Sequence, residues 1–137
     1  MKHLCPNHRA WLRSHLDAAI NLFHTSMDTV QILKEQGATQ ASLIHLGYAL
    51  DTATVILLNG HHDSRFALYA DVTLRYVQDL CEHGQQTQAS AILLRAVGQL
   101  ETLLPIHSAE PESLSQVLNA IAALHRADSI FSPSSVH

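Results

Sequence analysis

The amino-acid sequence predicts an all-α fold, about five antiparallel helices built around a duplicated helix-turn-helix, and three observations carry that expectation. Apolar residues recur at spacings of three and four through nearly every segment, the interval at which a helix gathers side chains on one face. Gly37, Gly60 and Gly84 stand just past such runs, where a left-handed C-terminal residue costs glycine nothing. A block of sequence near Val30 is repeated near Val77.

The first segment, from about Pro6 to Gln36, sets Leu12, Leu16, Ala19, Ile20, Phe23, Met27, Val30 and Leu33 on one stripe. Thr25 and Asp28 have capping-box-like spacing and mark where so long a helix could break. The second segment, about Thr39 to Leu58, is apolar over most of its circumference, which places it at the centre of the bundle. The third carries Phe66, Tyr69, Ala70, Thr73, Val77 and Leu80. The fourth carries Ala89, Ile92, Leu93, Ala96, Val97, Leu100, Leu103 and Leu104 and is stopped by Pro105.

The fifth enters through Pro111, whose fixed φ suits a first helical turn, and continues with Leu114, Val117, Leu118, Ile121 and Leu124. Thr39, Asp63 and Thr87 are the expected N-caps. Gly47 and Gly98 lie inside helices at about 1 kcal/mol each relative to alanine, for which close helix crossing is the expected compensation. Residues 1–131 read as a single helical domain and the Ser-rich 132–137 as a frayed tail.

The repeat aligns Val30-Gln31-Ile32-Leu33-Lys34-Glu35-Gln36-Gly37 with Val77-Gln78-Asp79-Leu80-Cys81-Glu82-His83-Gly84. Thr39-Gln40-Ala41-Ser42 then matches Thr87-Gln88-Ala89-Ser90 at an offset one residue larger, so the turn is expected to have gained a residue. Stacking two copies builds a core that neither has alone.

Leu80, Gly84, Ala89, Leu93 and Ala96 follow an L-x3-G-x4-A-x3-L-x2-A spacing, and in this the stretch 77–104 resembles the tetratricopeptide repeat family. The first copy offers Leu33, Gly37 and Ala41 with a turn one residue shorter, and neither copy carries the family's tryptophan or closing proline in place. The resemblance implies a groove, lined by the first helix of each repeat, that holds a partner's peptide or helix. Carried onto this chain, the face comprises His24, Met27, Gln31, Lys34 and Glu35 in copy one and Asp71, Leu74, Gln78, Cys81 and Glu82 in copy two.

Composition narrows the function classes. At 137 residues and 47% hydrophobic the chain can bury a core without disulfides or metals. Its net charge of −4 and dispersed basic residues argue against nucleic acid, which demands clustered positive charge. Cys5 and Cys81 are too few for a disulfide scaffold, which points to the cytoplasm. No apolar h-region precedes Leu4-Cys5, and no uninterrupted apolar run approaches the ~20 residues of a membrane span, so neither export nor anchoring is expected.

Eleven histidines raise metal binding, through His3, Cys5 and His8 or through His61-His62-Asp63, but neither set has a recognised ligand spacing and no metal or cofactor is expected. On the central helix His45, Tyr48 and Thr52 share a face, with Asp51 beside them; such polar groups need partners within the protein or a ligand. Phosphate-binding glycine loops, nucleophile elbows and paired-carboxylate motifs are missing from the sequence. The reading that follows is a non-enzymatic protein-interaction module (adaptor, chaperone or regulator). The alternatives are a small-ligand or metal-responsive sensor and a self-assembling structural protein, for which a homodimer is the simplest form.

Overall fold

The computed structural model describes residues 4–131. His3 and the tail 132–137 lie outside them. Every element among the described residues is helical: α1 (Pro6–Arg13), α2 (Leu16–Glu35), α3 (Thr39–Asn59), α4 (Ser64–Glu82), α5 (Gln86–Glu101), the single turn α6 (Leu104–His107) and α7 (Pro111–Phe131). The chain divides into two compact units between Arg65 and Phe66.

In the first unit, Cys5 caps α1 by accepting the His8 amide on Sγ at 3.3 Å, and Pro6 supplies the helical φ of the first turn. The expected long helix then breaks at Ser14-His15 rather than near Thr25. Ser14 and His15 turn back with short-range amide bonds to the carbonyls of Trp11 and Leu12 at 3.1 and 3.0 Å. The His15 ring donates from Nδ1 to the Trp11 carbonyl at 2.7 Å and stacks on the indole with centroids 4.0 Å apart. The helix therefore restarts as α2, which runs unbroken through Thr25.

Helices α2 and α3 form an antiparallel hairpin, and α1 lies against both. α3 is the central element of this unit: eleven of its residues are buried, among them Leu46, Ala49 and Ala53 at 0% exposure. Its end is pinned by the buried Arg65, whose Nε donates to the Leu57 carbonyl at 3.2 Å and whose Nη1 donates to the His62 carbonyl at 2.7 Å.

In the second unit α4 leads into α5, and Tyr69 of α4 feels the charge of Arg95 on α5. α5 and α6 pack on α7. The His107 ring meets Phe66 of α4 edge-on at 5.4 Å and donates from Nδ1 to Glu110, in the loop that follows α6, at 3.3 Å.

Two helix ends are built alike. After α2 the Ala38 amide reaches back to the Leu33 carbonyl (2.9 Å) and the Gly37 amide to the Lys34 carbonyl (3.1 Å), with Gly37 at φ 74°. After α4 the Gln85 amide reaches the Leu80 carbonyl (2.9 Å) and the Gly84 amide the Cys81 carbonyl (3.1 Å), with Gly84 at φ 75°. Both are Schellman turns, and only a left-handed residue at the glycine position closes them.

The next helix starts two residues past the glycine in both, with Ala38 and Gln85 in the N-cap position. The two turns are thus equal in length, and the extra residue of the second copy is taken up inside α5. Thr39 and Thr87 consequently fall in the first helical turn and are not caps. Counted from the turn, Ser42, Leu46 and Ala49 correspond to Ala89, Leu93 and Ala96, and all six are buried.

α3 and the stretch Gln86–His107 are long and apolar enough in composition to cross a membrane, which the count of uninterrupted apolar residues missed. Of the most apolar window of each, 61% and 39% is buried inside the protein, so core packing accounts for α3 better than for α5.

Candidate functional site

A cleft of about 270 Å³ opens in the first unit between α1, α2 and α3. α1 contributes His8, α2 contributes Leu22, Thr25, Ser26 and Thr29, and α3 contributes His45 and Tyr48, with Leu4 also in the lining. His45 and Tyr48 stand three residues apart on one helix face, their rings 5.8 Å apart and inclined at 59°. Leu4 is held there because its amide donates to Asp51 Oδ2 at 2.9 Å.

The four residues expected to form a ligand pocket therefore separate into two pairs. His45 and Tyr48 line the cleft, whereas Asp51 is engaged with the Leu4 backbone. Thr52, fully buried, donates its hydroxyl to the Tyr48 carbonyl at 2.8 Å. Both have partners inside the protein. Of the residues weighed as metal ligands, His8 lines the cleft, Cys5 caps α1, His61 and His62 are exposed, and Asp63 lies 4.0 Å from Arg65. Among the described residues no group of three or more His, Cys, Asp or Glu side chains is placed to hold a metal.

The proposed partner-binding residues lie on α2 and α4. On α2, His24, Gln31, Lys34 and Glu35 are exposed and Met27 is half-buried; Gln31 Nε2 donates to Glu35 Oε1 at 2.9 Å. On α4, Asp71, Gln78 and Glu82 are exposed while Leu74 and Cys81 are half-buried; Gln78 Nε2 donates to Glu82 Oε1 at 3.4 Å. Partial burial, with the Glu82 carboxylate beside it, pushes the Cys81 thiol up from its ordinary value.

Leu4, Leu22, Thr25, Ser26 and Thr29 are cleft residues that the sequence pattern did not single out. Ser26 had a legible signal: it falls between Phe23 and Val30 on the buried stripe of α2, where a hydroxyl is out of place unless it faces a gap. Gly98 differs from its expectation too, since a Cβ built there would meet nothing within 4 Å and this chain makes no close helix crossing at it. No known protein-family model, curated protein or solved structure matches this chain.

Proposed function

We propose that the chain is a cytoplasmic, non-enzymatic interaction module of two tetratricopeptide-like hairpins, α2–α3 and α4–α5. Each would hold a peptide or helix of a partner protein against the outer face of its first helix. The observation that carries this reading is the equivalence of the two helix ends. The same Schellman turn follows the same Gln-to-Glu bond on the exposed side, once at Gln31–Glu35–Gly37 and once at Gln78–Glu82–Gly84.

Counted from the turns, Leu33, Gly37, Ser42, Leu46 and Ala49 stand at the same intervals as Leu80, Gly84, Ala89, Leu93 and Ala96, with serine in the first copy where the family spacing calls for alanine. An amide and a carboxylate held on an exposed face offer a partner backbone both a donor and an acceptor. The adaptor, chaperone and regulator classes share this chemistry.

The test is affinity capture from the source cells with the wild-type chain and with the triple substitution Gln31→Ala, Gln78→Ala and Glu82→Ala. A partner retained by the first and lost by the second, with identical thermal unfolding, supports the proposal. Equal retention removes the outer face from consideration.

The cleft lined by His8, Ser26, His45 and Tyr48 favours a second reading, a small-ligand sensor. Native mass spectrometry of the gently purified, untagged protein addresses it. A bound mass that disappears on Tyr48→Ala would support it, and a bare chain would count against it.

A further inference from the structure

The apolar surface left over on α5 is organised about Gly98. Ala91, Leu94, Arg95, Gly98, Glu101 and Thr102 fall within about 60° of one another's mean direction at 100° per residue, and all but the half-buried Gly98 are exposed. Leu94, at 68%, is the most exposed of the large apolar side chains described. The opposite side of the helix carries its buried residues: Ala89, Ile92, Leu93, Ala96, Val97 and Leu100.

Gly98 is costly where it stands, because glycine inside a helix loses about 1 kcal/mol relative to alanine. Among the described residues nothing lies within 4 Å of a Cβ placed on Gly98, so none of them makes a close crossing there. A glycine on an open helix face is accounted for by a backbone that approaches from outside, where any side chain would hold the two helices apart.

The charges around it say which backbone. Arg95 stands three residues before Gly98 and Glu101 three residues after it, and neither has an ion-pair partner among the described residues. Two antiparallel copies of α5 related by a two-fold axis through Gly98 bring Arg95 of each against Glu101 of the other and Leu94 against Thr102. Such an isologous interface demands a self-complementary surface, and reflection through Gly98 supplies one.

We infer that the chain forms a symmetric homodimer through α5, the two helices crossing antiparallel at Gly98 with reciprocal Arg95–Glu101 pairs. The two-fold makes every substitution act twice, so reversal of one charge creates two like-charge oppositions.

Sedimentation velocity of the full chain over a concentration series tests this. Wild type should pass from monomer to dimer. Gly98→Leu should remain a monomer while unfolding at the same temperature or higher, because leucine improves helix propensity and its Cβ has open space at this position. Arg95→Glu and Glu101→Arg should each weaken the dimer by roughly tenfold or more, and the double exchange should restore it. A chain that stays monomeric throughout overturns the proposal, as does a dimer indifferent to Gly98→Leu and to the charge reversals. The hairpin-face proposal stands or falls separately, since its substitutions lie on α2 and α4.

Discussion

The Leu4 amide donates to Asp51 Oδ2 at 2.9 Å, a bond between the start of the described chain and the middle of its central helix. Both residues are buried, at 7% and 8% exposure, so the carboxylate is removed from water and returns a charge-assisted hydrogen bond for it. Leu4 in turn lines the cleft together with His8, His45 and Tyr48.

Asp51→Ala should therefore lower stability by about 1–3 kcal/mol, the cost of orphaning a buried donor. Urea denaturation measures the loss. Amide exchange at Leu4 should rise well beyond the global change, and protection left intact at Leu4 would show that the bond does not anchor this end.

Ser42 is 2% exposed and its Oγ has no hydrogen-bond partner among the described residues, whereas buried Ala89 takes the corresponding place after the second turn. Ser42→Ala keeps the small size that the hairpin needs and removes an unsatisfied hydroxyl. A gain of about 1 kcal/mol in unfolding free energy is expected. A loss on denaturant titration would mean that the hydroxyl has a partner in solution.

Burial pushes the Tyr69 phenol from its ordinary 10.0 up to about 12, against the opposing pull of the Arg95 guanidinium. Between these values the unfolded chain sheds the proton while the folded chain keeps it, so stability is complete below pH 10 and falls as pH rises toward 12. The fall attributable to Tyr69 should reach about 2 kcal/mol. Comparing urea midpoints of wild type and Tyr69→Phe at neutral and alkaline pH isolates it, because every other group is common to both proteins.

Arg65 and Gly60 together fix the exit from α3. Arg65→Met deprives the Leu57 and His62 carbonyls of a buried guanidinium and should cost about 2–3 kcal/mol. A Cβ on Gly60 would stand 2.6 Å from the Ile56 carbonyl oxygen, a backbone atom that cannot swing aside. Gly60→Ala should accordingly lose about 1–3 kcal/mol. Thermal unfolding of both variants checks the pair, and a neutral Gly60→Ala would indicate that the loop relaxes freely.

Much of the fold was legible because its determinants are local. The stripe from Leu16 to Leu33 and the run that opens at Pro111 lie within the helices observed, whereas the run that opens at Ala89 stays helical only to Glu101: Leu103 falls in the turn before α6, and Pro105 sits inside α6 rather than stopping α5. The break at His15 was not legible, since it depends on an imidazole competing for the Trp11 carbonyl, a contact with no spacing signature. The repeated Thr-Gln-Ala-Ser misled in a similar way. Four identical residues suggested a longer second turn, but the helix start is set by the backbone bonds to Leu80 and Cys81, and these place Gln85 where Ala38 stands in the first copy.

Of the candidate site, His45 and Tyr48 were readable as polar groups on an apolar helix, yet nothing in the chain order distinguished them from Asp51 and Thr52. That distinction came from neighbours: the amide of Leu4, distant in sequence, and the carbonyl of Tyr48.

By itself the sequence determined the helical class, the glycine positions that end α2 and α4, and the residues available to each face, because periodicity and φ preference act over a few residues. Tertiary structure alone decided which polar groups were satisfied internally, where a cleft was left between α1, α2 and α3, and that Gly98 faces open space. Those outcomes depend on which side chains from distant segments meet when helices dock, a relation that spacing along one helix does not contain.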